Sequence, residues 1–142
     1  MLEKRMFREE HLPEILDLCN THMRFDRLTE ALLKEKILDD PDYSPELVLT
    51  TWEGSELVGF MAGLVRQVRE EKIGYIKLMV VKEERRREGI ARNMYQILED
   101  AFRQRGAVRC RIYDVPMNYF MPGIDPRYTP AICFAHRLGF ER

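Results

Sequence analysis

The chain has little cysteine. Cys19, Cys110 and Cys133 are the full set, widely spaced and odd in number. No C-x-x-C pair or Cys/His cluster occurs, which argues against a disulfide framework and a zinc site. Each cysteine falls in a segment that reads as helix or strand, where a free thiol serves as a small buried apolar group. A reducing cytoplasm suits that usage. Long apolar runs are missing too: none approaches the roughly 18 residues of a membrane helix, so no membrane partner is expected. The opening Met1-Leu2-Glu3-Lys4-Arg5 is charged and leads into no apolar stretch, so no secretory signal is expected. Nor is there an excess of one charge. Lys and Arg number 23 against 24 acids, a net charge of −1, and nothing in that balance draws the chain to nucleic acid.

What is present fits one folded domain. The 142 residues are 45% hydrophobic and 33% charged, which excludes a disordered tail or a fibrous repeat. Glu3 to Phe7 reads as a short strand. His11 to Met23 is helical, with Leu12, Ile15, Leu16 and Cys19 at helical spacing. Arg27 to Leu38 is a second helix, with Asp26 as a possible cap. Asp39, Asp40 and Asp42 lie in a Pro-containing loop, as solvated acids or as a lure for a cationic substrate. The period then changes to strand: Leu47 to Trp52, Leu57 to Val65 and Ile73 to Lys82. The last is apolar on both faces, as in a central strand. From Ile90 the pattern is helical again, with Ile90, Met94, Ile97 and Ala101 in one stripe widened by Leu98 and Phe102, and Gly106 closing it. Ala107 to Val115 is a strand, Pro116 to Pro130 an irregular aromatic stretch, and Ala131 to Leu138 a last helix closed by Gly139. The order β-α-α-β-β-β-α-β-α predicts a single α/β domain with a mixed sheet.

The informative stretch is the junction of the central strand with the long helix. Arg86-Arg87-Glu88-Gly89-Ile90-Ala91 fits R-x-x-G-x-A. A buried strand, a short loop, a Gly and a helix start make an anion site, because the first helical amides have no backbone acceptor and the helix dipole is positive there. A pyrophosphate is the natural guest. Gly89 lets oxygens approach the backbone, Ala91 is small, and Arg85, Arg86 and Arg87 add charge. A dinucleotide-binding turn is excluded because the other two glycines of G-x-G-x-x-G are absent, and no P-loop motif occurs. A bland solvated loop stays open on the motif alone.

With its context, the motif resembles the signature of the GNAT superfamily of acyl-CoA-dependent N-acetyltransferases. Met79 to Val81 match the central strand and Arg86-x-x-Gly89-x-Ala91 the helix start. Arg109 to Val115 match the next strand, and Ala131 to Phe140, ending in Leu138-Gly139-Phe140, the closing helix and turn. The hairpin bearing Leu57-Val58-Gly59-Phe60 looks like the family's second and third strands. The resemblance implies a mixed α/β (α+β) central sheet flanked by helices. It implies acetyl-CoA as acyl donor, lying where the central strand splays from its neighbour. Backbone groups of Met79, Val80 and Val81 would hold the pantetheine arm, an amide near Val80 would polarise the thioester, and Arg86, Arg87, Glu88, Gly89, Ile90 and Ala91 would surround the pyrophosphate. The acceptor would be a primary amine of a small molecule or peptide, attacking directly.

Two roles depart from the family pattern. The helical position that often carries a Tyr acid is Ala135. Tyr128 is the stand-in the resemblance suggests, with packing against its loop as the alternative. Asp125 and Asp114 are candidate bases or amine anchors, or turn carboxylates, and Asn118 a polar substrate contact or turn residue. The loop Tyr119 to Tyr128 walls the acceptor pocket or forms a surface lid. His11, His22 and His136 read as structural. Ala135 also leaves room for a non-catalytic acyl-CoA-binding or regulatory domain of the same fold. The resemblance predicts two further strands after Phe140, which this chain lacks. We therefore expect a truncated or longer parent chain, or a homodimer or C-terminal domain covering the edge at Arg109 to Val115.

Overall fold

The computed structural model describes residues 1–23, 26–118 and 123–141. Its elements are β1 (Leu2–Met6), α1 (Leu12–His22), α2 (Glu30–Ile37), β2 (Val48–Glu53), β3 (Glu56–Val68), β4 (Glu71–Val81), α3 (Ile90–Gln104), β5 (Arg109–Ile112) and α4 (Thr129–Arg137). The five strands make one sheet in the order β1-β2-β3-β4-β5. All neighbours are antiparallel except β4 and β5, which run parallel. Residues of α1 and α2 cover one face, packing with Trp52, Phe60, Leu78 and Val80. The other face packs α3 through Ile90, Met94, Leu98 and Phe102 against Val58, Met61 and Ile76. The predicted class, α/β with a mixed sheet flanked by helices, is the observed one.

Several boundaries differ for local reasons. Helix α2 starts at Glu30 rather than Arg27. Its cap is Thr29, whose side chain accepts from the Leu32 amide at 3.1 Å, not Asp26. Upstream, Asn20 binds both backbone polar groups of Leu28, at 2.8 and 2.9 Å, and so holds that residue outside the helix. Strand β5 stops at Ile112, not Val115, because Tyr113 and Asp114 take left-handed φ values of 65° and 38°. On α3 the buried face is Ile90, Met94, Tyr95, Leu98 and Phe102, and Ile97 is 41% exposed. The cause lies in the sheet. Phe102 fills the space over Gly74, where a Cβ would come within 2.3 Å of the ring, and this turns the helix about its axis. Of the cysteines, Cys19 is buried, Cys110 is half-buried and Cys133 is exposed, so the buried reading fails for Cys133.

The acidic loop is also corrected. Asp40 is not solvated: it lies buried between Arg66 and Lys77, which are buried as well. Arg66 also binds Asp42 at 2.9 Å and the Met117 carbonyl at 2.9 Å, while Lys77 binds the Lys36 carbonyl. Burial pushes the Asp40 carboxyl up, but hydrogen bonds from Arg66 and Lys77 outweigh it and hold the pKa at about 2. Unpaired, such charges would be strongly unfavourable in the interior. Sequence periodicity could not show this cluster, because its members sit on β3, β4 and the loop after α2.

Candidate active site

The site starts from an irregularity in β4. Ala62 pairs with Leu78 and Gly63 with Ile76, so Lys77 is an extra residue on β4, a bulge. A bulge bends its strand and switches which residues point their backbone to which side. Before it, Ile76 faces β5, and its carbonyl accepts from the Tyr113 amide at 2.7 Å. Beyond it, the Lys82 amide donates to the Val58 carbonyl at 2.8 Å, so residue 82 faces β3. Strand alternation then turns Val80 to β3 and turns Met79 and Val81 the other way, toward β5. Pairing with β5 ends at Ile76 and Ile112. The two strands therefore part into a fork, and one side of it is lined by the backbone of Met79 and Val81. Of the three strand residues singled out in the sequence, Val80 has its amide turned away from the gap.

Downstream of the fork the chain makes a short 3-10 turn, Glu83–Arg85, and reaches Gly89, whose φ of +82° strains any other residue. Gly89 is the N-cap of α3 and offers no side chain to its amides, and the first turn of the helix holds no acidic residue. Arg87 precedes it at φ 68° and, like Glu88, is exposed. A Cβ built on Gly89 would meet nothing within 4 Å, so the approach to the Ile90 and Ala91 amides is open. This cradle suits a phosphate group. The three arginines do not act alike. Arg85 is tied to Glu53 at 2.8 Å and to Glu88 at 3.0 Å. Arg86 braces the loop, reaching the Val81 and His22 carbonyls at 3.4 Å each.

His22, read from sequence as structural, is part of that brace: its Nδ1 accepts from the Glu83 amide at 3.2 Å. His22, Glu83 and Glu84 bring potential ligand atoms within 4.8 Å of one another, but that Nδ1 is already engaged by the amide. His11 stacks on Trp52 with ring centroids 4.8 Å apart.

The acceptor-side residues divide. Tyr128 packs against the α1–α2 side of the core, and its hydroxyl donates to Asp26 at 2.6 Å. Tyr113 belongs to the same cluster, with Cys19 and Asp26 close by. Asp125 serves its own turn, accepting from the Arg127 amide at 2.9 Å and pairing with the Arg127 guanidinium at 2.7 Å. That pairing holds the Asp125 carboxyl at about 2. Asp114 is paired with Arg111 at 2.6 Å. Asn118 contacts the Glu35 carbonyl and Asp40, both at 3.3 Å, and so belongs to the buried charge cluster. The structure packs Tyr128 on the α1–α2 side of the core beside Asp26 and engages Asn118, Asp114 and Asp125 elsewhere. Tyr119, Phe120, Met121 and Pro122 of the aromatic loop, and Arg142, lie outside the described residues. Sequence reasoning missed Asp26 as a partner for Tyr128, since 102 positions separate them. It also gave Tyr113 no role.

A groove of about 910 Å³ runs beside β5 between α3 and α4, lined by Tyr95, Phe102, Cys110, Ile112, Ala135 and Phe140 among others. No donor-site residue lines it. Ala135, in the position that often holds a Tyr, faces this groove. The Leu138-Gly139-Phe140 turn caps α4: Gly139 is left-handed at φ 91°, the Phe140 amide returns to the Ala135 carbonyl at 3.0 Å, and Phe140 meets Tyr95 edge-on at 5.6 Å.

A parallel strand pair that forks over a bulge and feeds an uncapped helix defines the class: an α/β fold whose open helix N-terminus follows a forked sheet. Residues 9–140 match the profile of the Acetyltransferase (GNAT) family, and the chain belongs to that family. No curated protein matches. Among solved structures, Ard1 from Thermoplasma volcanium aligns with a TM-score of 0.78 at 19% identity, covering 99% of this chain and 82% of that one. Arabidopsis thaliana Naa50, solved with the bisubstrate analogue CoA-Ac-MVNAL, aligns at 0.71 and 18%, covering 99% and 83%. A transcriptional regulator from Bacillus halodurans aligns at 0.76 and 14%, covering 99% and 93%. These likenesses concern the fold. Among the described residues, no helix is long and apolar enough to cross a membrane.

Proposed function

We propose that the protein transfers an acetyl group from acetyl-CoA to a primary amine of a small molecule or peptide, by direct attack of the amine. The observation that carries this reading is the alignment of two features along β4: backbone of Met79 and Val81 turned into a fork, and the open, uncapped amides that follow Gly89. An extended donor suits both at once. Ile90 and Ala91 amides would take the pyrophosphate, with Arg87 and Glu88 at the loop surface and Arg86 holding the loop. Met79 and Val81 would pair with the pantetheine arm. Acetyl-CoA supplies the acyl group as a thioester. The Met79 amide, nearest the fork's apex, would polarise its carbonyl, which is oxyanion-type stabilisation.

The amine arrives mostly as ammonium, with pKa about 10, and must lose a proton to attack. The Asp26 carboxylate, held by the Tyr128 hydroxyl, is suited to anchor that cation, and Tyr128 to return a proton to the leaving thiolate. Asp125 and Asn118, already engaged, are at most rim contacts for the acceptor. Gly89→Asp tests the donor half by placing a carboxylate against the helix amides. Calorimetry with acetyl-CoA should show binding to the wild type and a loss of at least a hundredfold in the variant. Equal binding by the two proteins would remove the donor site from this place. Ala135 favours one rival, a domain that binds acetyl-CoA without catalysis. Binding with no CoA release across an amine panel would establish it.

A further inference from the structure

Lys77 and Leu78 are neighbours on β4, yet both point to the α1–α2 side of the sheet. Leu78 packs in the cluster of Trp52 and Phe60, and the Lys77 ammonium reaches the Lys36 carbonyl in the last turn of α2. Ile76, one residue earlier, packs on the α3 side. A regular strand alternates, so the doubling is the mark of the bulge. The α3 side is apolar at this level: a Cβ on Gly63, the partner of Ile76, would touch Phe102 and Leu98. On the other side the Asp40 carboxylate takes the ammonium at 2.5 Å, and the Lys77 side chain is only 2% exposed. Asp40 has its own anchors away from β4. Arg66 of β3 binds its other oxygen, the Asp42 amide donates to it at 2.8 Å, and Asn118 reaches it at 3.3 Å.

We propose that Asp40 is a positioning residue for the donor: acting through Lys77, it fixes where β4 bulges and so which backbone groups face the fork. This rests on the proposed acetyl-transfer reading. A buried ammonium needs a partner, and the carboxylate stands on one side of the sheet only. That requirement puts Lys77 on the α1–α2 side, while Leu78 fills the core on the same side, and a bulge at residue 77 satisfies both. Without the carboxylate the ammonium keeps one carbonyl, and its stable course is to turn toward solvent. A bulge moved or lost shifts the alternation beyond it by one residue. Val80 then faces the gap, and the backbone of Met79 and Val81 turns to β3.

The experiment measures acetyl-CoA dissociation constants by calorimetry for wild type, Asp40→Asn, Lys77→Met and Asp42→Asn. Each value is referred to the folded fraction read from urea curves, so that a purely stabilising role leaves it unmoved. A backbone hydrogen bond to the donor is worth about fivefold in affinity, and a shifted strand loses two, so Asp40→Asn should weaken binding about thirtyfold. Lys77→Met fills the same space without leaving an ammonium in the interior, and it decides the question where Asp40→Asn does not fold. Methionine has no need of Asp40 and frees the bulge to move, so this variant should bind at least about fivefold more weakly. Asp42→Asn removes a partner of Arg66 but leaves the pair of Lys77 with Asp40 intact. It should lower stability and still bind acetyl-CoA within about twofold of wild type, as expected for an independent site. Wild-type affinity in folded Asp40→Asn or Lys77→Met overturns the inference. So does an equal loss in Asp42→Asn, which would make the cluster a general support. If wild type itself binds no acetyl-CoA, the donor reading falls and takes this inference with it.

Discussion

Two charged or polar regions lie on either side of Lys77, and they are built on opposite rules. Around Asp40 every charge has a partner: two cations for one carboxylate, a second carboxylate for Arg66, and carbonyls for the remaining donors. At the head of α3 the helix amides receive no side-chain cap, and the residue before them is a glycine with open space around it. The first region resists change because any removal leaves a buried charge alone. The second leaves its helix amides without a side-chain partner, the arrangement that suits an anion. Lys77 belongs to both, as the bulge that opens the fork and as a member of the closed cluster. The residue that makes the bulge is therefore fixed by an ion pair to Asp40 as well as by its strand.

The largest expected effect attacks the closed region. Asp40→Asn should cost about 3–5 kcal/mol in urea unfolding, the range for removing one partner of a buried pair. Loss below about 1 kcal/mol would mean the cations relax to solvent and the contrast is false. The same carboxylate sets an acid response. Its folded pKa, about 2, lies below the ordinary 3.8, so its contribution is complete above about pH 4 and is lost as pH falls from 4 to 2. Asp40→Asn should flatten the stability curve in that window. Next, Tyr128→Phe should lower turnover by about a hundredfold or more, the scale of one proton-transfer group, and leave acetyl-CoA affinity unchanged. Unchanged turnover removes Tyr128 from the chemistry. Gly74→Ala forces a methyl against Phe102 and should destabilise by about 1–3 kcal/mol, with Phe102→Leu relieving part of it. The smallest effect sharpens the contrast from outside. Arg103→Ala breaks an exposed pair with Glu99 on α3 and should change stability by less than about 0.5 kcal/mol.

Much of this was legible in the sequence where local pattern governs. The strand-to-helix junction at Gly89 needs only a left-handed residue, an absent cap and a following apolar period, all written in neighbouring positions. The L-G-F turn was readable for the same reason. Contacts between distant segments were not. Asp40 looked like one of three loop acids, because Arg66 and Lys77 read as ordinary residues of strands. Asp26 looked like a helix cap, since neither the grip of Asn20 on Leu28 nor the reach of Tyr128 leaves a periodic trace. The end of β5 was overrun by three residues because Tyr113 and Asp114 have no sequence signal for left-handed backbone.

Helix α3 rests on three glycines of the sheet, and Gly63, under Leu98 and Phe102, shares the far end with Gly74. Gly59 lies under its first residue, where a Cβ would come within 2.8 Å of Ile90, and Gly74 lies under Phe102. Twelve residues, or about 18 Å of helix, separate those two supports. The helix is thus a beam seated at both ends, with the phosphate cradle at one tip. Bulk added under Phe102 would tilt the beam and swing the amides at the far tip away from the mouth of the fork. A substitution at Gly74 would then be felt at the helix start, twelve residues from the methyl that caused it.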